Sequence, residues 1–384
     1  MFCADGVWME PSLGRLIDTL RQKASTFTLA LSETETKLPL FSYGLTIDNQ
    51  SVLPLPSTPS IARGFFNARR CHQVVREIER RSDVVILQIP FAATLALLRP
   101  RRPRVYQVIA DVLSAAANSQ HYYGFKGVIA RSGAAFIDTV QHRLIAGTHS
   151  RMVAHGKELH ERYGIENGRS IVSGTLFDSE ILSVARVRRE GSPFQILYVG
   201  YLRHWKGVDV LVDAYEKLLE DIPGAELKII GSGDDNTHGI ESELRKRIQS
   251  INRRGQIELM GRKEFGSELF QSYANADVLV VPSRGGEGTP RVLVEARAFG
   301  CPVIGTRVSG IPSSIQDNID GLLVPPDDVN ALKRAILQIA RDESLRARLI
   351  VAGIQFSRCS TINNMAHQIW EEVESVMLAN TSRS

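Results

Sequence analysis

The chain has 384 residues, of which 43% are hydrophobic, and it carries 46 Lys and Arg against 42 Asp and Glu. At about 100–200 residues per domain, this length predicts two domains. The composition is typical of a soluble globular protein and excludes a disordered or fibrous one. The sequence also lacks the long uninterrupted apolar run that a membrane-spanning helix needs.

The cysteines are few and far apart. The chain contains 4, none of them in a CxxC pair: Cys3, Cys71, Cys301 and Cys359. This spacing argues against a zinc site and a disulfide framework, and it favours a reducing compartment. The N-terminus has neither the charged nor the apolar region of a signal peptide. We therefore expect a cytoplasmic protein, with peripheral association on the inner face of the membrane left open.

Charge is unevenly distributed along the chain. Residues 1–190 have a net charge of +7, whereas residues 191–384 have a net charge of −3. Part of the excess comes from a short run of arginines: Arg99, Arg101, Arg102 and Arg104. A basic half attracts nucleic acid, anionic lipid or phosphorylated ligands. Few aromatic residues interleave the run, which argues against nucleic acid, and the simplest interpretation of the run is a solvated loop between two strands.

The N-terminal half shows a faint alternation of helices and strands. Helical spacing of apolar residues predicts helices, and short apolar runs predict buried strands. In chain order these are a helix at 13–24, a strand at 27–33, a helix at 65–81, strands at 83–90 and 104–111, a helix at 136–147 and a strand at 150–155. A polar stretch with Gly and Pro, 183–195, predicts the linker to a second domain.

The C-terminal half shows the same alternation clearly. Strands are predicted at 194–200, 225–233, 256–261, 277–283, 302–306 and 321–325, and helices at 208–224, 240–255, 267–276, 289–300 and 328–342. The strands are continuously apolar and alternate with the helices, which predicts a doubly wound parallel α/β sheet. Ligands bind such sheets beyond the carboxyl ends of the strands. In this chain the segments that follow the strands contain glycine, charged residues or both. This composition is typical of a rim that binds anions.

Two carboxylates stand out at one of these ends. Glu287 lies in a glycine-rich loop, and Glu295 lies eight positions further on, in the predicted helix. The segment 283–328 resembles the EX7E signature of the retaining glycosyltransferases of family 4. The preceding VGYLRHWKG, 199–207, is similar to the phosphate-binding motif of the same family, and the two motifs stand in the family's order and spacing.

This resemblance implies a GT-B fold, in which two Rossmann-like doubly wound domains face a central cleft. Residues 1–185 would form the acceptor-binding domain and residues 190–354 the nucleotide-sugar-binding domain. A C-terminal helix at about 355–380 would pack back on the first domain.

The phosphate-binding motif implies a cationic site. Departure of a nucleoside diphosphate develops negative charge, which a preorganised cation stabilises, and Lys206 is the candidate. The family places Arg directly after the motif's first glycine, Gly200, but this chain has Tyr201 there. Arg203, two residues on, is the candidate substitute.

The EX7E segment implies contacts with the donor. By resemblance, Glu295 should hydrogen-bond the ribose of the donor and Glu287 should contact the transferred sugar. The loop and helix start between them are predicted to bind phosphate or sugar hydroxyls: Gly288, Thr289, Pro290, Arg291 and Val292. Three more residues are predicted to border the base pocket: Gly231, Gly233 and Arg262. Ordinary turn chemistry is the alternative interpretation of these glycines.

Site candidates in the N-terminal half are fewer. Gly14 is predicted to lie in a turn before a helix and to close on the donor phosphates. Asp111, after a predicted strand, is a candidate for orienting the acceptor, and His121 is a weaker candidate on the acceptor side. For each, the alternative interpretation is an ordinary loop residue.

The resemblance also implies the reaction. It would transfer a sugar from a nucleoside diphosphate sugar to a saccharide or lipid-linked saccharide, with retention at the anomeric carbon, in polysaccharide or glycoconjugate biosynthesis. No cofactor is expected. No metal is expected either, because the sequence contains no Asp-x-Asp motif and no His/Cys cluster.

Alternative functions have weaker support. A dinucleotide fingerprint needs a third glycine, which the segment starting at Gly231 lacks, and no GxxxxGK[ST] phosphate loop occurs. A GT-B epimerase or phosphorylase would share the fold, but the glutamate pair and Lys206 favour transfer. A non-enzymatic, regulatory relative is supported only by Tyr201 and by the weak glycine turn.

Overall fold

The structure is a computed structural model. It describes residues 2–3, 6–32, 41–45, 47, 51–58, 61–113, 124–163, 168–182, 191–233, 240–251, 256–285 and 288–381. The chain divides into two compact units: Met1–Thr175 together with Ile362–Ser384, and Leu176–Thr361. Residues 183–190 of the predicted linker lie outside the described part.

Within its described residues, the first unit has a parallel sheet with the strand order β6-β7-β8-β9 and two smaller sheets, parallel β3-β5 and antiparallel β1-β2-β4. The strands are β1 Phe2–Cys3, β2 Gly6–Met9, β3 Leu29–Ser32, β4 Tyr43–Leu45, β5 Val52–Leu55, β6 Val85–Ile89, β7 Arg104–Val108, β8 Ser150–His155 and β9 Gly168–Ile171. The four strands predicted in this half, at 27–33, 83–90, 104–111 and 150–155, are confirmed. The others are only two to four residues long, too short to show a sequence period.

Four helices of the first unit precede the boundary at Thr175 within the described segments: α1 Pro11–Arg21, α2 Ile61–Arg81, α3 Gly124–Ile145 and α4 Lys157–Tyr163. The prediction began α3 at residue 136, whereas the helix begins twelve residues earlier. The first turns of α3 were not predicted because their exposed positions include apolar residues, so the sequence shows no helical alternation there. Val128 and Ile129, for example, are apolar but exposed.

The arginine run of the first unit is organised around one buried carboxylate. Arg104 is 1% exposed, and its Nη2 donates to Oε1 of Glu79 at 2.8 Å. The backbone NH of Arg101 donates to the same oxygen, and Nε of Arg102 donates to the Glu79 carbonyl. Burial alone would raise the pKa of the Glu79 carboxyl group, but the hydrogen bonds from Arg101, Arg104 and Arg76 and the charge of Arg104 lower it. The interpretation of the run as a solvated loop is therefore wrong for Arg104.

The second unit contains one six-stranded parallel sheet in its described residues. Its strands are β10 Gln195–Val199, β11 Glu226–Ile230, β12 Gln256–Leu259, β13 Val278–Val281, β14 Val303–Thr306 and β15 Leu322–Val324. The order is β12-β11-β10-β13-β14-β15, which is the Rossmann order for a doubly wound sheet. All six strands were predicted from their apolar runs, as was the parallel pairing.

Five helices follow the predicted alternation: α5 Val208–Leu218, α6 Ile240–Ile251, α7 Ser267–Asn275, α8 Arg291–Ala298 and α9 Val329–Arg341. A further helix, α10 Glu343–Cys359, was not predicted. Two predicted boundaries were wrong. The helix expected to run to residue 224 ends at Leu218, ahead of a turn that contains Pro223. The helix expected from residue 289 begins at Arg291, because Pro290 keeps an extended ψ of 115°.

The last helix, α11 Ile362–Thr381, belongs to the first unit. Its buried apolar face, which includes Ile369 and Val373, packs in one cluster with Leu16 and Leu20 of α1. The indole Nε1 of Trp370 donates to the carbonyl oxygen of Leu20 at 3.1 Å. The predicted C-terminal segment began at residue 355, and its first residues instead complete α10 in the second unit.

A buried ion pair fixes α8 in the second unit. Nη1 of Arg297 lies 3.2 Å from Oδ1 of Asp320, and both side chains are at most 5% exposed. The guanidinium also lies 3.9 Å from the ring centroid of Phe356 on α10. Burial lowers the pKa of Arg297 to about 10 and raises the pKa of Asp320 against the attraction of that arginine. At neutral pH Arg297 is therefore still charged and depends on Asp320.

We expect Asp320→Asn to lower the free energy of unfolding by about 3–5 kcal/mol, because it leaves a buried charge without its partner. Urea unfolding followed by circular dichroism measures this loss. Asp213→Asn, which removes a carboxylate from an exposed pair with Arg247, is the control and should cost less than about 0.5 kcal/mol. The double variant Arg297→Met, Asp320→Leu should recover most of the stability; an equally large loss there would show that packing, not charge, sets the cost.

Candidate functional site

The strand order of the second unit defines where its site lies. From β10 the chain moves outward to β11 and β12 on one side, and it then returns to β13 on the other side. Open α/β sheets bind ligands at such a reversal, beyond the carboxyl ends of the two central strands. The segments that follow β10 and β13, residues 200–207 and 282–290, are therefore the centre of the candidate site.

The loop after β10 carries both predicted cations. A turn of 3₁₀ helix, His204–Lys206, follows Arg203. Nζ of Lys206 lies 4.4 Å from the ring centroid of Trp205, and Cζ of Arg203 lies 5.0 Å from the ring centroid of Tyr201. Such contacts stabilise a cation without neutralising it. Tyr201, which stands where the family has Arg, thus supports the side chain proposed to replace that arginine.

Gly207 places this loop directly against the other central strand. Its φ is +66°, and a Cβ atom there would lie 2.0 Å from the carbonyl oxygen of Pro282. Only glycine allows both this backbone conformation and this approach.

Arg284 connects the same two loops through its side chain. Its guanidinium makes a bidentate contact with Asp209, with both N···O distances 2.8 Å, and donates to the carbonyl oxygen of His204 at 2.6 Å. It also contacts Asp327 at 2.5 Å. Burial would raise the pKa of Asp209, but the hydrogen bonds and charge of Arg284 hold it below its usual value. The hydrogen bonds to Asp209 in turn raise the pKa of Arg284.

The loop after β11 approaches the loop after β10 equally closely. Gly231 has a φ of +153°, and a Cβ atom there would lie 1.8 Å from the carbonyl oxygen of Gly200. Leu202 NH donates to the Ser232 carbonyl at 3.1 Å, and Gly231 NH donates to the carbonyl of Gly261, after β12, at 2.8 Å. The loops after three adjacent strands therefore form one connected rim.

Two further residues that are predicted to bind the nucleotide-sugar donor lie on this rim. Gly233 NH donates to Oε2 of Glu241 at 3.1 Å. Arg262 lies in the loop after β12 and is exposed. The base pocket that these residues are predicted to border remains a prediction.

Glu295 lies on α8 and is buried, with 4% of its surface exposed. Its Oε2 accepts a 2.6 Å hydrogen bond from the hydroxyl of Tyr273 on α7. Burial and then the charge of Glu295 raise the pKa of Tyr273, so this hydroxyl stays protonated and acts as the donor. This hydrogen bond fixes the position of one carboxylate oxygen. The contact of Glu295 with the donor ribose stays a prediction.

The other EX7E glutamate, Glu287, lies outside the described residues. Pro290 precedes α8, Arg291 begins it and is exposed, and Val292 is half-buried. Gly310, after β14, approaches this segment: a Cβ atom there would lie 2.3 Å from the carbonyl oxygen of Gly288 and 3.1 Å from the NH of Thr289. The start of α8 is therefore held by the neighbouring loop.

The candidates of the first unit have different surroundings. Gly14 lies within α1, not in a turn before it, because Pro11 begins the helix after Glu10, whose carboxylate accepts from Leu13 NH. A Cβ atom at Gly14 would lie 2.2 Å from the ring of Tyr43, so packing accounts for this glycine. Its predicted contact with donor phosphates stays a prediction.

Asp111 follows β7, and its carboxylate forms an ion pair with Arg162 of α4. Its Oδ1 also accepts from Leu113 NH at 2.8 Å. These partners hold the side chain at the end of the strand. His121 lies outside the described residues.

Sequence reasoning missed three residues of the site: Tyr273, Arg284 and Gly310. Arg284 and Gly310 stand in the charged, glycine-rich segments that follow the strands, which was a signal. Tyr273 lies 22 positions before Glu295 in an ordinary amphipathic helix, and nothing in the sequence marks it.

Within the described residues, no group of three or more His, Cys, Asp and Glu side chains could hold a metal ion. None of the helices in the described segments is long and apolar enough to cross a membrane.

We expect Gly207→Ala to displace the Lys206 turn and to lower the free energy of unfolding by about 2–4 kcal/mol, because it combines backbone strain with a steric clash. Gly191→Ala is the control: Gly191 has a φ of +77° but nothing within 4 Å of a Cβ atom, so it should lose only about 1 kcal/mol. Chemical denaturation measures both losses. Equal losses would mean that the contact with Pro282 imposes no constraint.

Comparisons with known proteins agree with this geometry. Residues 183–356 match the family model of Glycosyl transferases group 1. The phosphatidyl-myo-inositol mannosyltransferase of Mycolicibacterium smegmatis is 28% identical over 83% of this chain and 77% of that protein. The amylovoran biosynthesis glycosyltransferase AmsK of Erwinia amylovora is 32% identical over 42% of this chain and 39% of that protein.

The structure of HepE from Anabaena, solved with UDP and glucose, aligns with a TM-score of 0.69 over 97% of this chain and 98% of that chain, at 17% identity. The match spans between 14% and 46% of the length of three other curated relatives. The fold is GT-B, with parallel sheets in two Rossmann-like domains. Together these findings support a GT-B glycosyltransferase family for this chain, with the match to the family model confined to residues 183–356.

Proposed function

We propose that this protein is a retaining glycosyltransferase, which moves a sugar from a nucleoside diphosphate sugar to a saccharide or lipid-linked saccharide without a metal ion. One observation carries the proposal. Lys206 and Arg203 lie on the loop after β10, at the reversal of strand order, and that loop is fixed against the loop that leads into the EX7E segment.

The cations would stabilise the leaving group. As the sugar–phosphate bond breaks, negative charge develops on the departing diphosphate. Lys206 would pair with this charge, and Arg203 would supply the second cation that the family takes from the position of Tyr201. Because these side chains are held by aromatic rings and a fixed loop, little reorganisation is needed at the moment of reaction. The N-terminus of α8 adds its partial positive charge.

The donor would be held by the second unit. Glu295 would accept hydrogen bonds from the ribose hydroxyls with the carboxylate that Tyr273 orients, and Glu287 would contact the transferred sugar. The complex of HepE with UDP and glucose supports a uridine or similar nucleotide donor.

The transfer would take place on the front face of the sugar, with retention of configuration. The departing phosphate would itself accept the proton of the acceptor hydroxyl, so that no separate general base is required. The names of two relatives, a phosphatidyl-myo-inositol mannosyltransferase and an amylovoran biosynthesis glycosyltransferase, support a lipid-linked or polysaccharide acceptor. The proposed process is accordingly polysaccharide or glycoconjugate biosynthesis.

We expect Lys206→Ala to lower kcat by about 10²–10³-fold, because it removes charge stabilisation specific to the transition state. Arg203→Ala should have a similar effect if Arg203 replaces the motif arginine, whereas Tyr201→Phe, which keeps the ring, should be mild. Hydrolysis or transfer of a panel of nucleotide sugars by the purified protein measures these rates. Undiminished turnover in the double variant Lys206→Ala, Glu287→Ala would place the chemistry outside this site, and no turnover of any donor would favour a regulatory relative.

Glu295→Ala should raise the donor KM more than it lowers kcat, since its contact is made before the reaction as well as during it. Tyr273→Phe should reproduce part of the KM effect, because it removes only the hydrogen bond that orients the carboxylate. Initial-rate kinetics over a range of donor concentrations separates the two constants. A fall in kcat with unchanged KM would contradict a ribose-binding role.

Activity should survive EDTA, and the product should keep the anomeric configuration of the donor. An assay with and without chelator tests the first expectation, and NMR of the initial product tests the second. Loss of activity that Mn²⁺ or Mg²⁺ restores would contradict the cationic mechanism, and an inverted product would contradict the assignment to a retaining family.

A further inference from the structure

The surface of the first unit contains apolar side chains that the proposed reaction does not use. Phe66 on α2 is 88% exposed, and on α3 Ile129 is 58% and Val128 53% exposed. Phe65 and Phe136, also partly exposed, bring the two helices together, since their ring centroids are 5.8 Å apart. We call these five residues the apolar patch.

The backbone fixes the outward direction of the patch. Gly64 is buried, and a Cβ atom there would lie 2.3 Å from the carbonyl oxygen of Ala92. The face of α2 that contains Gly64 therefore packs against the protein, and Phe65 and Phe66 face solvent beside it. Along α3, residues seven to eight positions apart lie on the same face of the helix, so Val128 and Ile129 share a face with Phe136.

Cationic side chains surround the patch. Arg69 and Arg70 lie one helical turn after Phe65 and Phe66 and are exposed. Among the described residues no carboxylate forms a salt bridge with either. Arg131 on α3 is exposed and donates its Nε to the carbonyl of Gly127.

Acidic residues are missing from both stretches of sequence. Residues 61–73 and 124–137 contain no Asp or Glu. A surface that is apolar at its centre and basic at its edge complements an anionic bilayer, in which aromatic and aliphatic side chains enter the interface and arginines pair with headgroups.

We propose that the apolar patch and its arginines dock this protein on an anionic lipid bilayer. The proposal is independent of the transfer reaction, because none of these residues belongs to the candidate site. Its consequence is that a lipid-linked acceptor would be met at the membrane surface. A second copy of the chain is the competing occupant of the patch.

Co-sedimentation of the full chain with vesicles tests the proposal. Vesicles of phosphatidylcholine with about 30 mol% phosphatidylglycerol should bind the protein, and pure phosphatidylcholine should bind it much less. Binding should weaken at about 0.5 M salt, where charges are screened within a few ångströms. Equal binding to both vesicles, or none to either, would overturn the proposal.

Two variants locate the surface. Arg69→Glu, Arg70→Glu should weaken vesicle binding by about 25-fold or more, at about fivefold for each arginine. Phe66→Ser should weaken it by about fivefold. Both should retain the circular dichroism spectrum and donor turnover of the unaltered protein, because all three side chains are exposed.

The matched controls lie on the second unit. Arg334→Glu, Arg348→Glu changes net charge equally at two exposed arginines, and Ile319→Ser removes an exposed apolar side chain. Both control variants should bind vesicles as the unaltered protein does. If Arg334→Glu, Arg348→Glu lost as much vesicle binding as Arg69→Glu, Arg70→Glu, only the net charge of the protein would matter. Light scattering in the absence of lipid measures the molar mass of the protein and hence its oligomeric state. A dimer that Phe66→Ser dissociates would assign the patch to a second copy and contradict the membrane proposal.

Discussion

Arg284 is the interaction on which the candidate site depends. A single guanidinium contacts the first turn of α5 through Asp209, the loop after β10 through the carbonyl of His204, and the segment before α9 through Asp327. Each contact is long-range in sequence: His204 and Asp209 lie 80 and 75 positions before Arg284, and Asp327 lies 43 positions after it. Because the two carboxylates balance its charge, Arg284 positions other groups and is not itself poised to bind an anion.

Backbone contact supplies the remaining constraint. The loops at the carboxyl end of the sheet approach each other so closely that glycine is required where they meet, at Gly207, Gly231 and Gly310. A side chain at any of these positions would push one loop away from the next. The glycine-rich composition of the rim therefore has a structural explanation that holds with or without a bound ligand. It also explains how the loops can present backbone NH groups to a ligand at fixed positions.

The sequence predicted the second unit well because its signals are local. Continuous apolar strands, amphipathic helices and short connections define a doubly wound sheet, and the resemblance identified Lys206 and Glu295 as candidate site residues. Prediction from the sequence failed where the position of a side chain depends on a contact with a residue far away in the chain. The pairing of Arg284 with Asp209 joins residues 75 positions apart, and the burial of Arg104 follows from Glu79. Gly14 was misplaced because the start of α1 at Pro11 was not recognised, although proline is favoured there.

The cations of this protein have different roles, which depend on the groups that surround each charge. Arg104 and Arg297 are buried beside carboxylates and serve the fold. Lys206 and Arg203 lie against aromatic rings, which orient a cation but leave its field available to an anion. Arg69 and Arg70 face solvent beside apolar side chains on α2, the surroundings suited to an anionic surface rather than to a small ligand. A buried structural cluster and an exposed basic face therefore both contribute to the positive charge of residues 1–190. Net charge alone could not have separated these roles, since only burial and neighbouring groups distinguish one arginine from another.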